Sequence, residues 1–349
     1  MIAPAILQGY LLEEAIAAML GASGYRLIMD ASPDEPELDI RGNGLVVRGR
    51  GAWHQADVLG EFWYVPAFSL PVRLFVEAKC REARVGLDVV RNAHGVLDDV
   101  NENHVVKRFG DAPKRRYQYT YTVFSTSGFS KDAQGYALAH QISLVDLSGP
   151  AFAPLRTLVK TLAKDIRTIT ADAGNDSVDV LMVRHLMRDT LGTADPGSAI
   201  DPPGDAELAN ALRPSVDAFA RGLQRSMRTE FLLAFPSAPF MLTLAPEDPR
   251  AFLTYAREQP AHDVMIRRVA TTSGLGNWEI TPRSAPGAYR LSFGLPEQVE
   301  KWIVAVEEQE ASRARQMKRT LLSEITVYRL DEDRPQLFQL RYTPRELQR

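Results

Sequence analysis

Apolar residues recur at helical spacing from roughly Ala5 to Leu20, with Leu12, Ile16, Met19 and Leu20 on one stripe. This predicts an N-terminal helix that Gly21, Ser23 and Gly24 bring to an end. A loop rich in proline and acid (ASPDEPELD) follows, and then three strand-like runs, GLVVRGR, HQADVLGEF and RLFVEAK. The stretch VGLDVVRNAHGVLDDV returns to a helical period, with Val90, Ala93 and Leu97 on one side. A basic loop (KRFGDAPKRRY) leads to the β-rich YTYTVFST, a short helix around KDAQGYALA and the apolar run ISLVDL. The closing order of strand, helix, strand, helix, strand predicts parallel pairing with helices packed on the sheet.

Beyond Leu147 the pattern changes. Leu155, Leu158, Leu162, Ile166 and Ile169 mark one helix, and Ser177 to Leu191 reads as another. TADPGSAIDPPGDAE is a loop by composition. A helix around Ala206 to Met227 should break or kink at Pro214. FLLAFPSAPFMLTLAP reads as a hairpin, and a long charged helix is expected from about Pro296 to Thr320. The expected fold class is α/β (α+β) in three parts: residues 1–148, a helical linker or dimerisation region at 149–227, and an α+β region at 228–349.

At 349 residues the chain is comfortable for two domains, and 45% hydrophobic with 24% charged residues is ordinary for a globular protein. The formal net charge of -3 gives no global positive field, so any nucleic-acid role needs a local basic surface. A single cysteine, Cys80, excludes an internal disulfide framework and suggests a reducing, cytoplasmic setting. The N-terminus lacks a signal-peptide pattern, and its acidic residues interrupt a membrane-length apolar run, so no membrane partner is expected.

The chemistry concentrates in two strands. In RLFVEAK, Leu74, Val76 and Ala78 share a face, while Phe75, Glu77 and Lys79 share the other. Glu77 and Lys79 then stand ~7 Å apart along the strand, pointing the same way. In HQADVLGEF, alternation groups Ala56 with Val58, and Gln55 and Leu59 with Asp57. If the strands pair, Asp57 joins the other two. Two carboxylates suit a hard divalent ion, which activates water and neutralises phosphate charge. A nearby ammonium can stabilise developing charge. Glu-x-Lys on an exposed strand usually marks only a solvated face. Here the strand is strongly apolar, and charges inside such a strand are costly unless paired or bound to metal. Glu13 sits at the edge of the first helix's buried stripe and adds a fourth candidate, whereas Glu14 is directed toward Ala17 and Ala18.

These residues, in this order, resemble the Mrr-type branch of the PD-(D/E)xK, or restriction-endonuclease-like, nucleases. Gly9 and Glu13 match that branch's Gly-x-x-x-Glu start. His54, Gln55 and Asp57 match its His-Gln-x-Asp strand, VEAKC its Glu-x-Lys strand, and VGLDVV the helix after it. Gly128, Phe129, Ala133 and Ala137 fall on its closing strand–helix–strand. The likeness spans about Gly9 to Leu147. It implies a mixed central sheet flanked by helices and cleavage of DNA phosphodiesters with Mg²⁺, for which Mn²⁺ may substitute. It further implies Asp57, Glu77 and the Ala78 carbonyl as metal ligands, Lys79 acting on water or the transition state, and Glu13 supporting the metal or its water. Gln55 would support the ligands from behind, and His54 could do so by orienting Asp57 or could touch phosphate, against the plainer reading of a packed strand histidine. The insert EFWYVPAFSLPV between the Asp and Glu strands departs from the pattern and could shape substrate access.

Arg48, Arg50 and the loop residues Lys107, Arg108, Lys114, Arg115 and Arg116 are candidates for gripping a DNA backbone, against the plainer reading of solvated side chains. Trp53, Phe62 and Trp63 are expected in the core, Tyr119 and Tyr121 as structural strand residues, and Cys80 as a small buried hydrophobe. His185, His262 and GLGNW carry no partner set for metal or phosphate. The expected activity is a DNA endonuclease of prokaryotic defence, acting as a possible homodimer. The alternatives are a nuclease gated by a ligand or partner at the C-terminal half, and a nucleic-acid-binding module without catalysis.

Overall fold

The computed structural model describes residues 3–31, 34, 37–42, 44–63, 65, 68–103, 116–149, 152–194, 204–226, 232–236, 242–269, 277–295, 297–304, 311–331 and 334–343. The architecture is mixed α and β. The N-terminal part runs α1 (Pro4–Ala22), β1 (Tyr25–Ile28), β2 (Leu38–Arg41), β3 (Gly44–Arg48), β4 (Trp53–Ala56), β5 (Val58–Phe62), β6 (Val72–Lys79), α2 (Leu87–Asn101), β7 (Gln118–Ser125), α3 (Lys131–Ala139) and β8 (Ser143–Asp146). A five-stranded sheet has the order β1-β5-β6-β7-β8. The first three strands are antiparallel, and β6, β7 and β8 are parallel, joined by α2 and α3 as the strand–helix pattern predicts. Strands β2, β3 and β4 form a separate antiparallel sheet.

The run HQADVLGEF is therefore two strands. The chain leaves the small sheet after Ala56 and enters the large one at Val58, with Asp57 at the corner. The corner breaks the expected alternation. Ala56 and Leu59 pack into one core and Val58 into the other. Strand β2 (LDIR) also lies partly within the stretch expected to be loop.

Each face of the large sheet has its own core. Leu74, Val76 and Ala78 of β6 pack with Leu7, Leu11, Leu12, Ile16 and Leu20 of α1. The opposite face carries Phe75, Tyr121 and Val123 against α2, α3 and the small sheet. Burying one such leucine or phenylalanine side chain stabilises by ~1.5–3 kcal/mol. Among the described residues α1 alone is long and apolar enough to cross a membrane, and its side chains are spent on this core.

Three further helices, α4 (Ala153–Asp172), α5 (Val180–Leu191) and α6 (Ala206–Ser226), join the α1 side of that same core through Leu155, Leu162, Met182, Leu186, Leu212 and Phe219. The boundary expected near residue 148 thus does not separate two cores. Helix α5 is capped by the Asp179 side chain, which accepts from the Met182 amide. Helix α6 continues through Pro214 rather than ending there.

The remaining chain closes a barrel of order β10-β13-β12-β11-β15-β14-β9. Its elements are β9 (Leu232–Pro236), β10 (Leu242–Pro246), α7 (Pro249–Glu258), β11 (Ala261–Val269), β12 (Asn277–Pro282), β13 (Leu291–Phe293), α8 (Glu297–Ile303), α9 (Ala311–Leu322), β14 (Glu324–Asp331) and β15 (Arg334–Tyr342). The expected hairpin is β9 with β10. The expected long charged helix is instead α8 and α9, with 305–310 outside the described residues. The barrel meets the N-terminal sheet where the Tyr328 ring packs on Phe62, 4.6 Å between centroids. Gly24 sits under the same ring with φ +91°, where a Cβ would come within 2.0 Å of it.

Candidate active site

The register of β5 on β6 creates the site. Val58 pairs with Val76, and the corner at Asp57 then carries the chain away. The edge of β6 from Ala78 onward loses its backbone partner there. The Asp57 amide still donates to the Val76 carbonyl at 3.1 Å, and the Asp57 carboxylate replaces the missing strand by accepting the Ala78 amide at 2.8 Å. The N–H and C=O of one strand residue lie on the same edge, so the Ala78 carbonyl also faces Asp57.

Glu77 and Lys79 project from one face of β6, as their spacing predicts, and Lys79 Nζ lies 2.6 Å from Glu77 Oε1. The other carboxylate oxygen, Oε2, accepts the Tyr121 hydroxyl at 3.0 Å. Tyr121 is buried and its ring stacks on Phe75 at 4.9 Å. Tyr121 is thus more than a strand filler. Burial, then Glu77, pushes its phenol well above the usual range, so it stays a donor.

Glu13 arrives from α1 on the other side of the sheet edge and is buried. Its neighbour Glu14, whose spacing on the helix gives no sign of a partner, is only 1% exposed. Both are held by α5. Arg184 donates from Nε to Glu14 at 2.7 Å and from Nη1 to Glu13 at 2.9 Å. Arg188 adds a forked contact to Glu14 at 3.0–3.1 Å. Glu13, Glu14, Asp57, Arg184 and Arg188 line a cavity of about 150 Å³ between α1, α5, the β2–β3 hairpin and the Asp57 corner.

Four carboxylates (Glu13, Glu14, Asp57, Glu77) here meet three cations (Lys79, Arg184, Arg188). Burial, with like charge crowded beside it, shows in the proton affinities. Burial, then the charge of Asp57, pushes Glu13 up to about 8, although Arg184 opposes it. Burial also raises Asp57, against the Ala78 amide and Lys79, which pull it down. A bound cation would relieve both groups.

Among the described residues, no three His, Cys, Asp or Glu side chains form a metal-holding group by themselves. Magnesium, however, uses only one or two carboxylates and keeps several waters. Asp57, Glu77 and the Ala78 carbonyl supply hard oxygens of that kind at one strand edge. An ion shared by Glu77 would take the place that the Lys79 ammonium holds at Oε1. The donor set therefore fits a hard divalent ion.

Other expected residues lie elsewhere. His54 Nε2 pairs with Asp99 Oδ2 at 2.7 Å and ties β4 to α2, away from Asp57. Gln55 is exposed and lies over Gly44 on the outer side of the small sheet. The one-residue corner separates both from Asp57. Arg48 is exposed near the Trp53 ring, Arg50 pairs with Glu102 at 3.0 Å, and Arg116 is exposed. Lys107, Arg108, Lys114 and Arg115 lie outside the described residues. Trp53 is half-buried under Arg41 rather than in the core, and Trp63 is 53% exposed. Trp63 belongs to the insert, which enters β6 at Val72, the end opposite Glu77 and ~16 Å away along the strand. Cys80 is half-buried against the α1 core, 3.9 Å from Gln8 Oε1. His262 is fixed in the barrel by the Gln259 carbonyl and the Tyr289 hydroxyl, each at 2.7 Å.

No protein-family model and no curated protein matches the chain. A solved structure described as the crystal structure of a protein of unknown function, AF1548, aligns with 14% identity over 63% of this chain and 97% of that one. Its TM-score of 0.30 shows neither fold nor function.

Proposed function

We propose that this chain is a metal-dependent nuclease of the restriction-endonuclease-like type, hydrolysing phosphodiester bonds of DNA at Asp57, Glu77 and Lys79. The observation that carries the reading is Glu77 and Lys79 paired at 2.6 Å on β6, with Asp57 bonded to the Ala78 amide between them and within reach of both charges. A mixed sheet flanked by α1 on one face and by α2 and α3 on the other supports the same reading of the fold.

Magnesium or manganese bound at Asp57 and Glu77 would supply a Lewis acid for the phosphate and an activated water. Asp57 is fixed for that task by the Ala78 amide, and Glu77 by the Tyr121 hydroxyl. Lys79, released from Glu77, presents its ammonium to the phosphate or the attacking water. Glu13 supports the set from α1. The exposed Arg48, Arg50 and Arg116 are proposed DNA-backbone contacts, with Lys107, Arg108, Lys114 and Arg115 of the same basic sequence run, which lie outside the described residues.

A role in prokaryotic defence, a cytoplasmic setting and a homodimer that addresses both strands belong to the same proposal. The barrel is proposed to select the target or gate the site. Supercoiled plasmid incubated with Mg²⁺ tests the reading. Nicked or linear product that disappears with EDTA and in Glu77→Gln supports it. Binding of plasmid without any product, on methylated and unmethylated DNA alike, contradicts an ungated nuclease and leaves a nuclease gated through the barrel or a binding module, and failure of Mn²⁺ to bind as well leaves the binding module.

A further inference from the structure

Helix α5 belongs to a stretch that sequence patterns assign to a linker or dimerisation region, yet it delivers a guanidinium into the carboxylate cluster. The Arg184 side chain is 8% exposed and spans two adjacent acids of α1 that lie 170 and 171 residues away in the chain. Its donors are divided, Nε to Glu14 and Nη1 to Glu13, and its guanidinium lies 5.3 Å from the Tyr10 ring centroid. Glu14 is anchored a second time by Arg188, so it serves as a fixed post. Among the described residues, the cation that pairs with Glu13 is Arg184. The planar fork of arginine suits this two-point grip, which a lysine ammonium cannot reproduce.

Resting on the nuclease reading, we infer that Arg184 is a positioning residue of the active site, holding Glu13 against Asp57 so that the helical segment completes the metal-binding end of the cleft. Arg184 acts through Glu13 and touches no reacting group. Helices α4–α6 are then part of the catalytic unit rather than a spacer, which agrees with the single core they share with α1 and the sheet.

The test is calorimetric titration of Mn²⁺ into the full chain without DNA, run beside plasmid cleavage. Glu13→Gln and Arg184→Gln should each weaken Mn²⁺ binding ~10-fold, the size of effect seen when groups orienting metal ligands are lost. The double variant should be no weaker than either single, because both remove the same support. Arg184→Lys keeps the charge that folding needs and should recover only part of the affinity. Arg213→Gln, which breaks an exposed pair with Asp189 outside the cleft, should bind as the unaltered chain does. Unaltered Mn²⁺ affinity in Arg184→Gln, or a double variant whose loss is the product of the singles, overturns the role of Arg184 alone. An unaltered chain that neither binds Mn²⁺ nor cuts DNA overturns the nuclease reading together with it.

Discussion

Replacing Glu14 by Gln tests whether the link between α1 and α5 is energetic or ornamental. Glu14 is 1% exposed and accepts from Arg184 and Arg188, so its charge is compensated within the protein and not by water. Removing one partner of a buried pair costs ~3–5 kcal/mol, mainly because the other charge stays buried. Gln keeps the shape and one accepting oxygen, and Arg184 keeps Glu13, which sets the expected loss at the lower end, about 3 kcal/mol. With a urea dependence on the order of 3 kcal/mol/M, the midpoint should fall by ~1 M with an unchanged slope. Far-UV circular dichroism in urea reads this directly. Arg213→Gln is the internal comparison. Its pair with Asp189 is half-exposed, and such pairs contribute ~0–1 kcal/mol. Added salt should shrink the small effect and leave the large one, since buried pairs are weakly screened. A Glu14→Gln midpoint shift no larger than that of Arg213→Gln would refute the reasoning.

Other outcomes follow from the same geometry. Tyr121→Phe keeps the ring stacked on Phe75 but removes the donor to Glu77, and should cost about 1.5 kcal/mol in urea unfolding. Gly24→Ala drives a Cβ into the Tyr328 ring at a left-handed φ and should lower stability by ~2–4 kcal/mol. Gly42→Ala, also left-handed but with nothing within 4 Å, should cost only ~1 kcal/mol, and thermal melts compare the two. Because the Glu13 carboxyl is raised from 4.5 to about 8, the folded chain holds its proton more tightly than the unfolded chain. That contribution is complete below pH 4.5 and is lost as pH rises through 8. In divalent-free buffer, Glu13→Gln should therefore gain stability relative to the unaltered chain between pH 5 and 8, and a constant difference across urea midpoints would contradict it.

What the sequence discloses follows the range of its patterns. Alternation along RLFVEAK is local, and it brings Glu77 and Lys79 together as the structure has them. Strand–helix order likewise anticipates the parallel run β6, β7, β8. Alternation fails at Asp57 because one corner residue transfers the chain between sheets. The parity of every residue before it is thereby reversed, and His54 and Gln55 drop out of the cluster. Glu14, Arg184 and Arg188 were invisible for a different reason. Their pairing crosses some 170 residues, and the periodicity of neither helix says which carboxylate an arginine of the other will meet. Tyr121 looks like any strand tyrosine until β7 is placed beside β6 in register. The closed barrel depends on pairings such as β11 with β15, which no local window contains.

The central claim is tested most directly at Lys79, whose ammonium sits 2.6 Å from Glu77. Cleavage of supercoiled plasmid by Lys79→Ala and by the unaltered chain should be compared in Mg²⁺, alongside the DNA affinity of both. Loss of one preorganised charge-stabilising group slows the chemical step ~10²–10³-fold. The account predicts a fall of that size with DNA affinity held within about twofold, since one phosphate-directed cation contributes little to total binding. Undiminished Mg²⁺-dependent cleavage by Lys79→Ala would contradict it.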